Sequence, residues 1–185
     1  MKRTCDLIFA LILAIIFFIP LIFIYIVINI NSVESPIYWS NRIGKDNKVF
    51  RMAKFRSMKI NAPEIATHEL KNPNIWLTSL GSFLRSTSID ELPQIFNILK
   101  GEMSFVGPRP ALFNQYDLIE MRTKKNIHRL VPGITGWAQI NGRDELSIID
   151  KVFYDQYYLK NKSFFLDLKI LWLTIIKVLT SDGVK

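Results

Sequence analysis

The chain has 185 residues, 49% of them hydrophobic and 22% charged, which implies one domain with material for a real core. Its formal net charge of +8 calls for an anionic partner: nucleic acid, anionic lipid or a phosphorylated substrate. The single cysteine, Cys5, excludes an internal disulfide and a cysteine-rich zinc site, and fits a reducing compartment.

The charge is unevenly spread. Leu7 to Ile28 carries none. The run is too long for the apolar part of a secretory signal, and no small-x-small cleavage pattern follows it. As one straight helix it would measure about 33 Å, enough to cross a hydrocarbon core of about 30 Å. Pro20 interrupts it, because proline lacks a backbone donor and clashes with the preceding turn. The pieces on either side would measure about 20 Å and about 12 Å, and neither crosses alone. Lys2 and Arg3 before the run are balanced by Arg42, Lys45 and Lys48 after it, so the positive-inside rule assigns no sidedness. Two arrangements satisfy these signals: a re-entrant hairpin that enters and leaves on one face, or a kinked single span. Cys5 sits at the membrane edge, either as a site for acylation or as a plain thiol.

Asn29 to Pro36 reads as a linker. Gly44-Lys45-Asp46-Asn47 then marks a turn between two strand-like runs. Residues 41–59 carry Arg42, Lys45, Lys48, Arg51, Lys54, Arg56 and Lys59 against one acid, Asp46. Such a pair is either a solvated edge or a face for phosphate or lipid headgroups. Residues 61–75 form a polar, irregular excursion with Pro63 and Pro73. His68 and Glu69 there lack metal-binding spacing, and His68 reads as a surface residue.

The stretch RSTSIDELPQIFNILKGE carries Leu92, Ile95, Phe96 and Leu99 at helical spacing. Ser88-x-x-Glu91 offers a capping box, Pro93 prefers the first turn, and Gly101 offers a stop. Asp90, Gln94 and Asn97 would share a polar face. The adjacent Asp90 and Glu91 then sit near a helix N-terminus. There they serve either as dipole complements or as chemistry. In Pro108-Arg109-Pro110 two fixed backbone angles hold one arginine, as a tight turn or as a rigid anion ligand. A helix is expected from Ala111 to about Leu130, ending basic, with His128 on its basic face. VPGITGWAQINGRDEL reads as a loop with Gly133, Gly136 and Gly142 as permissive points, gathering Trp137, Gln139, Asn141 and Arg143. Phe164–Leu179 is apolar but short of a span, and reads as an interfacial amphipathic helix, or else as a buried core helix. No repeat, Walker loop, nucleophile elbow, dinucleotide fingerprint or zinc motif occurs.

At KFRSM, RSTSIDELPQIFNILKGEMSFVGPRP and PGITGWAQINGR the chain resembles the bacterial monotopic phosphoglycosyl transferases, the initiating sugar-phosphate transferases of surface-glycan and glycoprotein pathways. The likeness covers nearly the whole chain, keeps the motifs in order, and includes the transferase of bacterial N-linked protein glycosylation. It implies an α+β, mostly helical fold: a re-entrant membrane hairpin over residues 1–30, then one membrane-associated catalytic domain over 31–185 with a small antiparallel strand pair and interfacial amphipathic helices. Both ends would be cytoplasmic, at the bacterial inner membrane. Asp90 would be the nucleophile on a UDP-sugar, releasing UMP, and polyprenyl (undecaprenyl) phosphate would collect the phosphosugar. Mg²⁺ is implied at Asp90 and Glu91. Arg85 and Arg109 are implied phosphate contacts, with Lys54, Arg56, Gln139, Asn141 and Arg143 as further substrate residues. No nucleic acid is implied, and a homodimer is admitted. One departure stands out: the family commonly has Ser-Pro at the membrane-helix break, and here it is Ile19-Pro20, without a hydroxyl for a freed backbone group.

The chemistry suits these residues. Splitting a diphosphate brings an anion to an anion, so the target's charge needs neutralising by fixed cations and a divalent ion. Magnesium takes one or two carboxylates together with phosphates and water. Covalent catalysis divides the transfer into two easier steps. Two other readings account for parts of the sequence. A membrane-anchored basic module for anionic lipid or nucleic acid explains the charge and the apolar run but not the acidic pair. A membrane pyrophosphatase would use the pair with water as acceptor.

Overall fold

The computed structural model describes residues 2–32, 34–65, 72–142 and 145–180. Its first feature follows from Pro20. A proline ring collides with the carbonyl four residues back, here that of Ile16, and leaves that carbonyl without its donor. The chain therefore ends helix α1 (Lys2–Ile16), passes Phe17, and begins α2 (Phe18–Asn31). The Phe17 N–H still donates to the Leu13 carbonyl, and Leu21 N–H donates to the Phe17 carbonyl, both at 2.8 Å. Pro20 thus lies in the first turn of α2, where a missing donor costs nothing. The break precedes the proline rather than falling on it. The two pieces are 15 and 14 residues, near-equal instead of the unequal pair expected. They are bent by 60°; neither is long and apolar enough to cross a membrane, though together they pass by length and composition.

One stripe of this bent pair is covered. Ala10 is fully buried among Phe50, Met52, Ile95, Ile98 and Met103. Ile28 packs with Phe55 and Leu84. The remaining surface shows Ile8, Leu11, Ile15, Phe18, Ile19, Phe23 and Ile26.

Strands β1 (Ile37–Ile43) and β2 (Val49–Phe55) form the expected antiparallel hairpin, with Ile37 opposite Phe55 and Ile43 opposite Val49. Asp46 and Asn47 turn it with φ of 55° and 58°, a left-handed conformation that Asp and Asn tolerate. Further along come α3 (Gly81–Ser86), a 3₁₀ segment over Ile89–Gln94, and α4 (Ile95–Lys100), which Gly101 ends with φ of 91°. His68 and Glu69 lie outside the described residues.

Two expectations need correction. The segment after Val131 is not all loop. Strand β3 (Ser104–Val106) pairs in parallel with β4 (Gly133–Thr135), followed by the short α6 (Trp137–Ile140). Three-residue strands carry no usable alternation, so the pairing left no pattern to find. Its requirement is steric: a Cβ on Gly133 would fall 2.1 Å from the Gly107 nitrogen, and one on Gly136 2.1 Å from the Gly107 carbonyl oxygen. Gly133→Ala is accordingly expected to destabilise the fold by about 3 kcal/mol, read from chemical denaturation. An unchanged midpoint would mean that the two backbones part freely.

The helix expected from Ala111 to Leu130 is the second correction. The helix α5 covers only Tyr116–Lys124, with a 3₁₀ turn at Ile127–Arg129 that carries His128. Residues before it are extended because the Ala111 carbonyl accepts the Ile43 N–H at 2.9 Å, and Leu112 bridges Arg42. A tertiary partner here overrides local helical preference. Helices α7 (Ile148–Asn161) and α8 (Phe164–Leu179) are the last among the described residues, each capped by the serine before it, Ser147 and Ser163. In α8 one side joins the core and the other is exposed. Ile170 is fully buried against Val106, Ile140 and Tyr158, while Phe165, Trp172 and Ile175 face outward.

Candidate active site

Asp90 and Glu91 lie on the 3₁₀ segment between α3 and α4. Ser88, at φ 56°, directs the chain into it, and Glu91 N–H donates to the Ser88 carbonyl at 3.1 Å. No capping box forms, because the Ser88 side chain makes no cap bond and Glu91 is engaged elsewhere. The Lys54 ammonium donates to Glu91 Oε1 at 2.7 Å and stands 4.0 Å from Asp90 Oδ2. Arg109 Nη2 donates to the same Glu91 oxygen at 3.3 Å. One carboxylate thus gathers a lysine from β2 and the arginine of Pro-Arg-Pro beside its neighbour.

What holds the segment is a residue the sequence did not single out for this. Asn97 sits in α4 at 1% exposure. Its Oδ1 accepts the Ala53 N–H at 3.0 Å, and its Nδ2 donates to the Arg51 carbonyl at 2.8 Å and to Glu102 Oε2 at 2.7 Å. A buried amide with all these partners fixes α4 to β2, and so fixes Lys54 against Asp90 and Glu91. Its sequence signal was the polar face shared with Asp90 and Gln94. That face turns inward: all three are buried. Ile89 and Leu84 pack toward α2 while Ile95 and Ile98 pack toward α1, so the acidic pair is carried between the two arms of the bent helix pair.

The two carboxyls are shifted in opposite directions. Burial raises the Asp90 carboxyl against the pull of Lys54, and the Glu91 charge raises it further. Burial also works against ionised Glu91, but Lys54 and Arg109 overcome it and keep the Glu91 carboxyl well below the usual carboxylate range. Two adjacent carboxyls pushed apart in this way mark a site where they do different work. Glu91, firmly ionised, is a poor general base.

The remaining expected residues divide. Arg85 acts on Asp90 electrostatically and donates to Met58 Sδ at 3.3 Å. Arg56 is engaged by the Ser35 carbonyl at 2.7 Å, by Glu34 at 3.5 Å and by the Tyr38 ring. Gln139 is buried, with neither amide atom hydrogen-bonded. Asn141 donates to the Trp137 carbonyl at 2.7 Å, closing α6. Arg143 lies outside the described residues. Arg42, Arg122 and Asp155, which no motif pointed to, support the Pro-Arg-Pro loop. Burial, then the neighbouring Arg109 charge, lowers Arg42 to about 10.

The donor set fits magnesium in one way only. Among the described residues no cluster of three or more metal-binding side chains exists. Asp90 and Glu91 supply two adjacent carboxylates, which suits an ion that arrives with phosphates and keeps its waters, not one caged by protein.

A buried acidic pair among fixed cations, packed beside a bent apolar helix pair, suits chemistry on phosphate groups. The bacterial sugar transferase model matches residues 1–181, and the chain belongs to that family, a family of phosphoglycosyl transferases. The uncharacterized sugar transferase EpsL of Bacillus subtilis (strain 168) is 42% identical over 188 residues, covering 100% of this chain and 90% of that protein. The undecaprenyl-phosphate galactose phosphotransferase of Salmonella typhimurium is 36% identical over 99% of this chain and 41% of its own length. The UDP-glucose:undecaprenyl-phosphate glucose-1-phosphate transferase of Escherichia coli (strain K12) is 38% identical, over 96% and 40% respectively. The chain therefore spans less than half of the relatives whose substrates are named.

Proposed function

We propose that this protein transfers a sugar phosphate from a UDP-sugar to undecaprenyl phosphate through a covalent aspartyl intermediate. The observation that carries it is Asp90: a buried carboxylate raised in pKa, beside a second carboxylate that assembles Lys54 and Arg109. The names of the relatives supply the substrate class. An Asp90 oxygen attacks the phosphorus that bears the sugar. The bond from that phosphorus to the UMP oxygen breaks, and UMP leaves. An oxygen of the lipid phosphate then attacks the same phosphorus, the Asp90–phosphorus bond breaks, and the carboxylate is restored. Lys54, Arg85 and Arg109 offset the charge that accumulates. Magnesium bound at Asp90 and Glu91 would neutralise diphosphate oxygens.

The acceptor is a membrane lipid, and the bent helix pair supports a re-entrant arrangement. At its start, Lys2 pairs with Asp167, Arg3 donates to the Ile98 and Leu99 carbonyls, and Asp6 accepts from Ser104. Past its far end, Glu34 accepts from the Ile60 N–H. Both ends are tied to the same body, on one side of whatever layer the exposed apolar surface enters, and the proposed side is the cytoplasmic one. Labels at Met1 and Lys185 should react together from that side only; labelling from opposite sides would mean a span.

The function is tested by intact-protein mass spectrometry with magnesium and a panel of UDP-sugars, without lipid. A gain of one phosphosugar is expected, lost when magnesium is omitted and in Asp90→Asn. Turnover on adding undecaprenyl phosphate with no adduct beforehand would instead mean direct transfer, with Asp90 as a metal ligand. Label released as free sugar phosphate would mean hydrolysis.

A further inference from the structure

Arg109 belongs to a loop whose backbone is held from behind, and the holding group is a buried ion pair that spans two helices. Asp155, on α7, is 1% exposed. Its Oδ2 accepts from Arg122 Nη2 at 2.6 Å and from Arg122 Nε at 3.0 Å. The third donor of that guanidinium, Nη1, reaches the Arg109 carbonyl at 2.8 Å. Arg42 adds a longer bond, 3.3 Å, to the Pro110 carbonyl. The loop is packed as well, with Pro108, Pro110 and Ala111 buried, and a cavity of about 30 Å³, lined by Pro108, Pro110, Ile119 and Ile127, lies against it. Two prolines stiffen the loop but do not set where it points.

A buried ion pair is by itself a weak stabiliser, since desolvation offsets much of the attraction. A planar guanidinium with two donors spent on one carboxylate, however, fixes the direction of the third. We infer that Arg122 and Asp155 are positioning residues: the pair fixes the Arg109 carbonyl so that the Arg109 guanidinium meets Glu91 and, with it, the donor diphosphate. This rests on the transferase reading and adds to it a distant pair that sets donor affinity without touching donor.

The test separates aim from stability. Arg122→Met with Asp155→Leu replaces the pair by apolar groups of similar size, so the unfolding midpoint should stay near wild type. UDP affinity in the presence of magnesium, measured by calorimetry, should fall about tenfold, and the UDP-sugar KM should rise in step with kcat less affected. In an Arg109→Ala background the same double change should weaken UDP binding no further. Arg122→Lys keeps the charge but not the fork, and should show the same loss if the double variant does not fold. Wild-type UDP affinity in a folded variant, or a loss that adds to that of Arg109→Ala, would overturn the inference while leaving the transferase reading intact. A wild-type chain that neither binds UDP nor forms an adduct would overturn the transferase reading itself, and the inference with it.

Discussion

Asp90→Asn is expected to abolish turnover, by at least about 10⁴-fold, while making the protein more stable. The first effect follows from removal of the proposed nucleophile, whose loss is not compensated by binding groups that remain. The second follows from the raised carboxyl of Asp90. A group whose folded pKa lies above its unfolded value favours the fold below the unfolded pKa, and that contribution is lost as pH rises through the folded pKa. At neutral pH the ionised Asp90 is therefore a cost, and the neutral isostere removes it, a gain of about 1 kcal/mol of the kind often found on relaxing an active site. The gap between variant and wild type should close as pH falls, because the wild-type Asp90 then becomes neutral too. Thermal unfolding as a function of pH checks this. A less stable Asp90→Asn would mean that the attraction of Lys54 outweighs burial.

Lys54→Met should cost about 10²-fold in turnover and about 3 kcal/mol in stability. It removes the cation that most favours ionised Asp90, and it takes from Glu91 a donor that sits closer than Arg109 does. Its signature is in the pH profile. Without Lys54, Asp90 holds its proton more tightly, so the acid limb of kcat/KM should move to higher pH. Glu91→Gln removes a like charge beside Asp90, so it should move the limb to lower pH. Glu91 itself contributes stability that is full above the ordinary carboxylate range and is lost as pH falls from that range down through its depressed pKa, and this acid lability should vanish in Glu91→Gln. Limbs that shift in the same direction in both variants would mean that the limb reports some group other than Asp90.

The candidate site was legible early because its residues lie in short contiguous runs. Asp90-Glu91, Pro108-Arg109-Pro110 and the Lys54–Met58 run each keep their meaning without knowledge of their partners. The hairpin was legible as well, since Gly44 to Asn47 stands as a turn signal between two strand-like runs. Pro20 announced a break, though only the backbone shows that the chain turns at Phe17, where the proline's clash with the Ile16 carbonyl is avoided. Apolar composition likewise marked α8 at the bounds it has.

What tertiary structure alone decided is what depends on distance across the chain. The expected capping box lost Glu91 to Lys54, which lies 37 positions away, because an ionised pair outweighs a local cap. The parallel pairing of β3 with β4 rests on glycines that let two backbones meet, and three residues per strand leave no periodic trace. Asn97 and the Arg122–Asp155 pair look, in sequence, like ordinary helix-face residues. Their role appears only when burial strips away water and leaves each polar atom only protein partners to find. The sequence by itself determined which groups are candidates for the chemistry. The fold decided which of the two carboxylates stays charged, and which cation is aimed at it, because burial and distance, not residue identity, set those energies.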